Sequence, residues 1–160
     1  MQIEFNEIEL KEIQNHISKY PAKKAAIMPI LWIAQNKWGW ISMEVMDYVA
    51  KILDLPVSHV EGVASFYTMY YKKPMGKFHI QVCTNVSCML RKGDLILKHA
   101  IESLGIKNNE VTPDGLFSLE EVECMGACGG APMIAVNEDF YENFDLQQFD
   151  DLIKKLSNNL

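Results

Sequence analysis

The chain has four cysteines, and all of them fall in its second half, in two short pairs. Cys83 and Cys88 are separated by four residues, and Cys124 and Cys128 by three. Each pair is close enough for both sulfurs to reach one metal ion. Thirty-five residues lie between the pairs, so only a fold that aligns two distant segments can bring them together. Four scattered thiols acting as small hydrophobes would not be expected to partition this way. No Cys-x-x-Cys dithiol is present, which argues against thioredoxin-type disulfide exchange.

The rest of the chain reads as two regions. The first seventy-odd residues carry helical periodicity and no cysteine. Ile8, Ile13 and Ile17 recur at helical spacing. A second apolar helix is expected from Ala22 to about Gln35, with a turn at Trp38-Gly39-Trp40. A third follows Ser42 through Val45, Met46, Val49 and Ile52. Ser58 and Glu61 form a capping-box pattern for a fourth. Near Lys72-Lys73-Pro74 the period changes from 3.6 toward 2. Phe78, Ile80 and Val82 predict a strand ending at Cys83. A helix is predicted from about Met89 to Leu104, a turn at Pro113-Asp114-Gly115, and strands over 116–123 and 133–136. Asn137-Glu138-Asp139 reads as a hairpin turn into Phe140-Tyr141. Asp145 with Gln148 caps a last helix. The expected class is α+β: a helical cap over 1–74, then a thioredoxin-like α/β domain over 75–160 with a small mixed sheet.

Composition limits the function. The chain is 160 residues long and 49% hydrophobic, with a formal charge of −6. This length can bury a core without metal or disulfide staples. No basic stripe is available to neutralise phosphates, so nucleic acid is not an expected partner. No stretch approaches the roughly 18 apolar residues of a membrane span. The acidic start of the chain does not read as a targeting segment. A cytoplasmic location is therefore expected, where thiols stay reduced and serve as ligands or catalysts.

Four thiolates suit zinc or an iron–sulfur cluster. Zinc pairs favour a two-residue spacing, which neither pair has. Gly126, Ala127, Gly129, Gly130 and Ala131 make a small-residue loop in which backbone N–H groups can approach cluster sulfurs. Cys88 lies near the start of the predicted helix, where the dipole favours an anionic group. His59, His79 and His99 are not needed beside four thiols and read as surface or satisfied histidines. His16 lies on an exposed helix by pattern. Trp32, Trp38 and Trp40 read as packing residues. Phe66 and Tyr67 fit either a core or a partner. Glu120, Glu121 and Glu123 precede the third cysteine, their alternate positions solvated.

Asp114-Gly-Leu-Phe117-Ser118, followed by Cys124-Met125-Gly126-Ala-Cys128-Gly-Gly-Ala131-Pro132, resembles the signature of the thioredoxin-like 2Fe–2S subunits of NADH–quinone oxidoreductase (complex I). Met125 stands where that family usually has Leu, a swap of similar size. Cys83-Thr-Asn-Val-Ser-Cys88-Met-Leu-Arg91 is similar to the family's first ligand segment, with Lys92 before Gly93 where the family usually shows Arg-Gly. Met28-Pro29, Gly39-Trp40-Ile41 and Val63-Ala-Ser-Phe66-Tyr67-Thr-Met69 look like its N-terminal region. The resemblance implies one 2Fe-2S cluster, Cys83 and Cys88 holding one iron and Cys124 and Cys128 the other. It implies a one-electron carrier with no catalytic residues of its own, in the peripheral arm of a membrane-bound complex. The expected partners are a flavin- and NADH-binding subunit and larger iron–sulfur subunits. No Gly-rich phosphate-binding fingerprint is present, so FMN and NADH are expected on the partner. Equivalent subunits of an NAD-linked hydrogenase or formate dehydrogenase, and a zinc-stabilised interaction domain, remain open from the sequence.

Overall fold

The structure is a computed structural model, and it describes residues 3–158. The chain separates into two compact units that meet in sequence at Pro74–Met75. Among the described residues, no helix is long and apolar enough to cross a membrane.

The first unit is helical: Glu7–Ser18 (α1), a single 3-10 turn over Lys23–Ala26, Ile27–Trp38 (α2), Met43–Leu53 (α3) and Val57–Phe66 (α4). Asn6 caps α1 through a full capping box with Glu9, and Ser42 accepts from Val45 N–H at the start of α3. The expected cap at Ser58 does not form. Pro56 takes the N-cap position in an extended conformation, with φ −60° and ψ 138°. The helix therefore begins at Val57, and Ser58 already lies inside the first turn. The helices bury Ile13, Ile30, Leu31, Val45, Val49, Leu53 and Val60. Trp38 packs against Phe5 and Tyr48, and Trp32 lies partly buried on the same core.

One buried polar clamp in this unit escapes hydrophobic pattern reading. Gln35 donates from Nε2 to the Met69 carbonyl at 2.9 Å and accepts at Oε1 from Tyr71 N–H at 2.7 Å. The fully buried Tyr70 donates to the Met28 carbonyl at 2.8 Å, and burial pushes its phenol up to about 12. The segment after α4 is thus tied to α2 by buried hydrogen bonds, the arrangement such groups require. Phe66 faces solvent at 77% exposure, so it is not part of this core.

The second unit contains Phe78–Cys83 (β1), Val86–Leu90 (α5), Gly93–Leu104 (α6), Phe117–Val122 (β2), Ile134–Val136 (β3), Asp139–Tyr141 (β4) and Leu146–Ser157 (α7). The sheet order is β2-β1-β3-β4. β1 runs parallel to β2 and antiparallel to β3, and β3 pairs antiparallel with β4. A parallel pair needs a crossover, and α5 and α6 lie within it. Ile80, Val82, Leu119, Ile134 and Val136 meet Ile96 and Ala100 of α6 and Phe149 and Leu152 of α7 in one core. The chain is thus α+β with a small mixed sheet.

Strand alternation turns His79, Gln81, Ser118 and Glu120 away from that core. His79 is 2% exposed, yet both ring nitrogens are bonded, to Ser118 Oγ at 2.8 Å and Glu120 Oε2 at 2.9 Å. Gln81 also donates to Glu120 at 3.0 Å. Glu120 is therefore bound, where the run of acids in the sequence suggests solvation. His99 pairs with Asp150 at 2.7 Å between α6 and α7.

Two features differ from the sequence reading in detail. The helix expected over 89–104 is two helices, broken where Lys92 adopts φ +73°. Cys88 consequently lies inside the five-residue α5, not at the mouth of the long helix. The hairpin loop is two residues, Asn137 and Glu138, because Asp139 already pairs with Val136. Asn137 sits at φ +55° and accepts from His79 N–H at 2.8 Å, which extends the β1 edge with a side chain.

The cap on α7 forms as its sequence suggests. Asp145 accepts from Gln148 N–H at 2.8 Å, and Gln148 Oε1 accepts from Asp145 N–H at 2.9 Å. Asp145→Ala should cost about 1 kcal/mol, the usual value of such a cap. A lower urea midpoint at unchanged slope would register that loss.

Candidate metal centre

The parallel register explains how distant cysteines meet. Cys83 is paired with Val122 across β1 and β2. Thr84 N–H donates to the Val122 carbonyl at 3.2 Å. Both strands therefore end side by side, and Cys124 follows two residues later. β3 approaches from the other edge, where Cys83 N–H donates to the Met133 carbonyl at 3.3 Å.

The first pair is buried. Cys83 is 3% exposed and Cys88 2%. They pack with Ala131 and Met133, and with the partly buried Val122, Met125 and Ala127. Met125 and Ala127 lie between the second pair of cysteines, so the two cysteine segments share one small cluster. Burial pushes the Cys88 thiol up to about 11, with the hydrogen bond to Cys83 next in size. The Met133 backbone opposes this by hydrogen bonding, while Cys128 is near enough to raise it a little further.

The second pair is exposed. Cys124 and Cys128 Sγ atoms lie 4.0 Å apart, close to the span of two sulfurs sharing one tetrahedral metal at bonds of ~2.3 Å. Gly126 N–H donates to Cys124 Sγ at 3.3 Å, and its φ of +78° is one that a side chain would strain. The loop is anchored from below. Asn143 N–H donates to the Gly130 carbonyl at 2.6 Å, and Phe144 N–H to the Pro132 carbonyl at 2.9 Å. The Ala131–Pro132 peptide is cis.

These features suit a binuclear thiolate-bound group. Four thiols lie in two pairs, with a backbone N–H aimed at one sulfur. His59 is exposed, and His79 and His99 spend ring nitrogens on other partners. Sequence reasoning misses the loop anchors at Asn143 and Phe144, because backbone-to-backbone bonds leave no residue-type signal.

A mixed sheet with two cysteine pairs at neighbouring strand ends fits an iron–sulfur protein of thioredoxin-like build. Residues 13–157 match the family of thioredoxin-like 2Fe-2S ferredoxins, and the chain belongs to that family. It is 44% identical to the E subunit of NADH-quinone oxidoreductase from Rickettsia bellii over 97% of this chain and 95% of that protein. It is 42% identical to the second E subunit of NADH-quinone oxidoreductase from Rhizobium meliloti, over 90% of this chain and 86% of that one. Among solved structures, an H2-reduced NAD+-reducing NiFe-hydrogenase aligns with a TM-score of 0.73 at 19% identity. That alignment covers 84% of this chain and 22% of the hydrogenase chain, and it bears on the fold alone.

Proposed function

We propose that this chain is the 2Fe-2S electron-transfer subunit of an NADH-quinone oxidoreductase. Cys83 and Cys88 would hold one iron, and Cys124 and Cys128 the other. Bound there, the cluster supplies one-electron transfer, which matches a flavin that receives hydride as an electron pair and must release it singly. The observation that carries the reading is the meeting of the two cysteine pairs at the adjacent ends of β1 and β2.

The chain's own residues divide the work. Burial of Cys83 and Cys88 excludes water from one side of the site. Exposure of Cys124 and Cys128 leaves the other side open to a partner. Gly126 N–H bonds a ligand sulfur, and such bonds adjust how readily the site accepts charge. Residues 75–160 form the cluster domain and residues 1–74 a helical cap. The partner binds FMN and NADH, larger iron–sulfur subunits take the electrons on, and the chain sits in the peripheral arm of the assembly, on the cytoplasmic side. Relatives that are 40–44% identical and named as subunits of this enzyme support it over a hydrogenase or formate dehydrogenase.

The test is to co-purify the chain with its native partners under anaerobic conditions and add NADH. The expected result is NADH-dependent quinone reduction, with a 2Fe-2S EPR signal from this chain in the reduced complex. Hydrogen- or formate-linked NAD+ reduction by the isolated assembly would overturn the assignment.

A further inference from the structure

Gly93 opens α6 and is buried. A Cβ placed on it would stand 2.7 Å from the Cys83 carbonyl oxygen and 3.0 Å from the carbonyl carbon and oxygen of Cys88. Every one of these neighbours is backbone, so no side chain can swing away to relieve the contact. The two residues concerned are the two members of the first cysteine pair. Gly93 is the place where the end of β1, the body of α5 and the start of α6 close on one another.

The surrounding hydrogen bonds hold it there. Arg91 N–H donates to the Cys88 carbonyl at 3.1 Å, and Lys92 N–H to the Met89 carbonyl at 3.0 Å. Lys92 then takes φ +73°, which turns the chain so that Gly93 enters α6 against both cysteines. A lysine adopts that conformation at some cost. Leu95 and Ile96 N–H groups donate to the Lys92 carbonyl and fix the turn from the other side.

We propose that Gly93 is a positioning residue for the first cysteine pair, setting the separation of the Cys83 and Cys88 backbones by close contact with both. This rests on the reading of these cysteines as ligands. Ligand geometry tolerates errors of only about 0.5 Å. A methyl group at Gly93 stands too close to both cysteine backbones, so the Cys83 strand end, the Cys88 helix or the start of α6 must shift by a distance on the order of that tolerance.

The experiment compares Gly93→Ala, Gly62→Ala, Ile106→Ala and Cys88→Ser in the full chain, prepared anaerobically. Gly62 is exposed on α4 in the first unit, with open space around its would-be Cβ. Ile106 is buried in the core beneath the sheet, so its truncation lowers stability without touching a cysteine. The readouts are iron and sulfide per chain, reduced-state EPR g values, the rate of cluster loss to a chelator, and far-UV circular dichroism of the metal-free form. Gly93→Ala should shift the g values and lose its cluster at least about ten-fold faster, the scale seen when support of a metal ligand is removed. Gly62→Ala should match the unaltered chain in every cluster readout, and Ile106→Ala should keep its g values. If Gly93→Ala folds poorly, the measurement is repeated in a stabilising osmolyte. Unchanged g values and retention in Gly93→Ala would overturn the proposal, as would recovery of both by osmolyte or equal loss in Ile106→Ala. A Cys88→Ser protein with unaltered iron and spectrum would instead remove the ligand reading itself.

Discussion

Replacing Cys124 or Cys128 with serine should abolish the native 2Fe-2S signal while leaving the metal-free protein as stable as before. Both thiols are exposed, and surface substitutions usually fall within about 0.5 kcal/mol. Cys88→Ser should do something different. Its thiol is 2% exposed among Ala131, Met133 and Met125. A hydroxyl there is more polar than the thiol and would cost about 1–3 kcal/mol if left without a full partner. Loss of the cluster should therefore come with loss of stability at Cys88 and without it at Cys128. Iron and labile sulfide assays, beside urea denaturation of the metal-free variants, separate the two effects. Equal destabilisation at both positions would contradict the division into a buried and an exposed pair.

Phe149→Ala should produce the largest loss of stability of any single truncation in the second unit, about 3–5 kcal/mol. The ring is fully buried. It packs in the core shared by α6, α7 and the sheet, with the His99 ring edge-on at 5.7 Å. That cost is comparable to the lower end of the whole stability of a small domain. Leu146, on the same helix but 40% exposed, is the comparison: its truncation should cost far less. The midpoint of urea unfolding followed by far-UV circular dichroism reads both. Because β1 and β2 carry the cysteines from this same core, Phe149→Ala should also speed cluster loss.

Several of these elements are visible in the residues and others are not, for identifiable reasons. β1 is legible because Phe78, Ile80 and Val82 alternate up to Cys83, and α7 because Asp145 and Gln148 make a capping box that forms as written. The break between α5 and α6 is hidden because a lysine, not a glycine, takes the left-handed position at residue 92. Ser58 misleads because Pro56 starts α4 two residues too early for it. Glu120 looks solvated in a run of acids, yet it pairs with His79 on a neighbouring strand, a contact set by the parallel register.

The site shows the same division. Which cysteines pair is local and can be read from spacing. That the pairs meet depends on Cys83 standing opposite Val122, a relation between segments almost forty residues apart. Gly93 carries no sequence mark of its contact with both members of the first pair, because what matters there is the absence of a side chain. The loop anchors from Asn143 and Phe144 run through main-chain groups alone.

The most direct test is metal and acid-labile sulfide analysis of the anaerobically purified chain, joined to EPR of the dithionite-reduced sample. The expected result is two iron and two sulfide per chain, as the 2Fe-2S family requires, with a one-electron signal that disappears on reoxidation. A colourless protein containing zinc and no labile sulfide would contradict it.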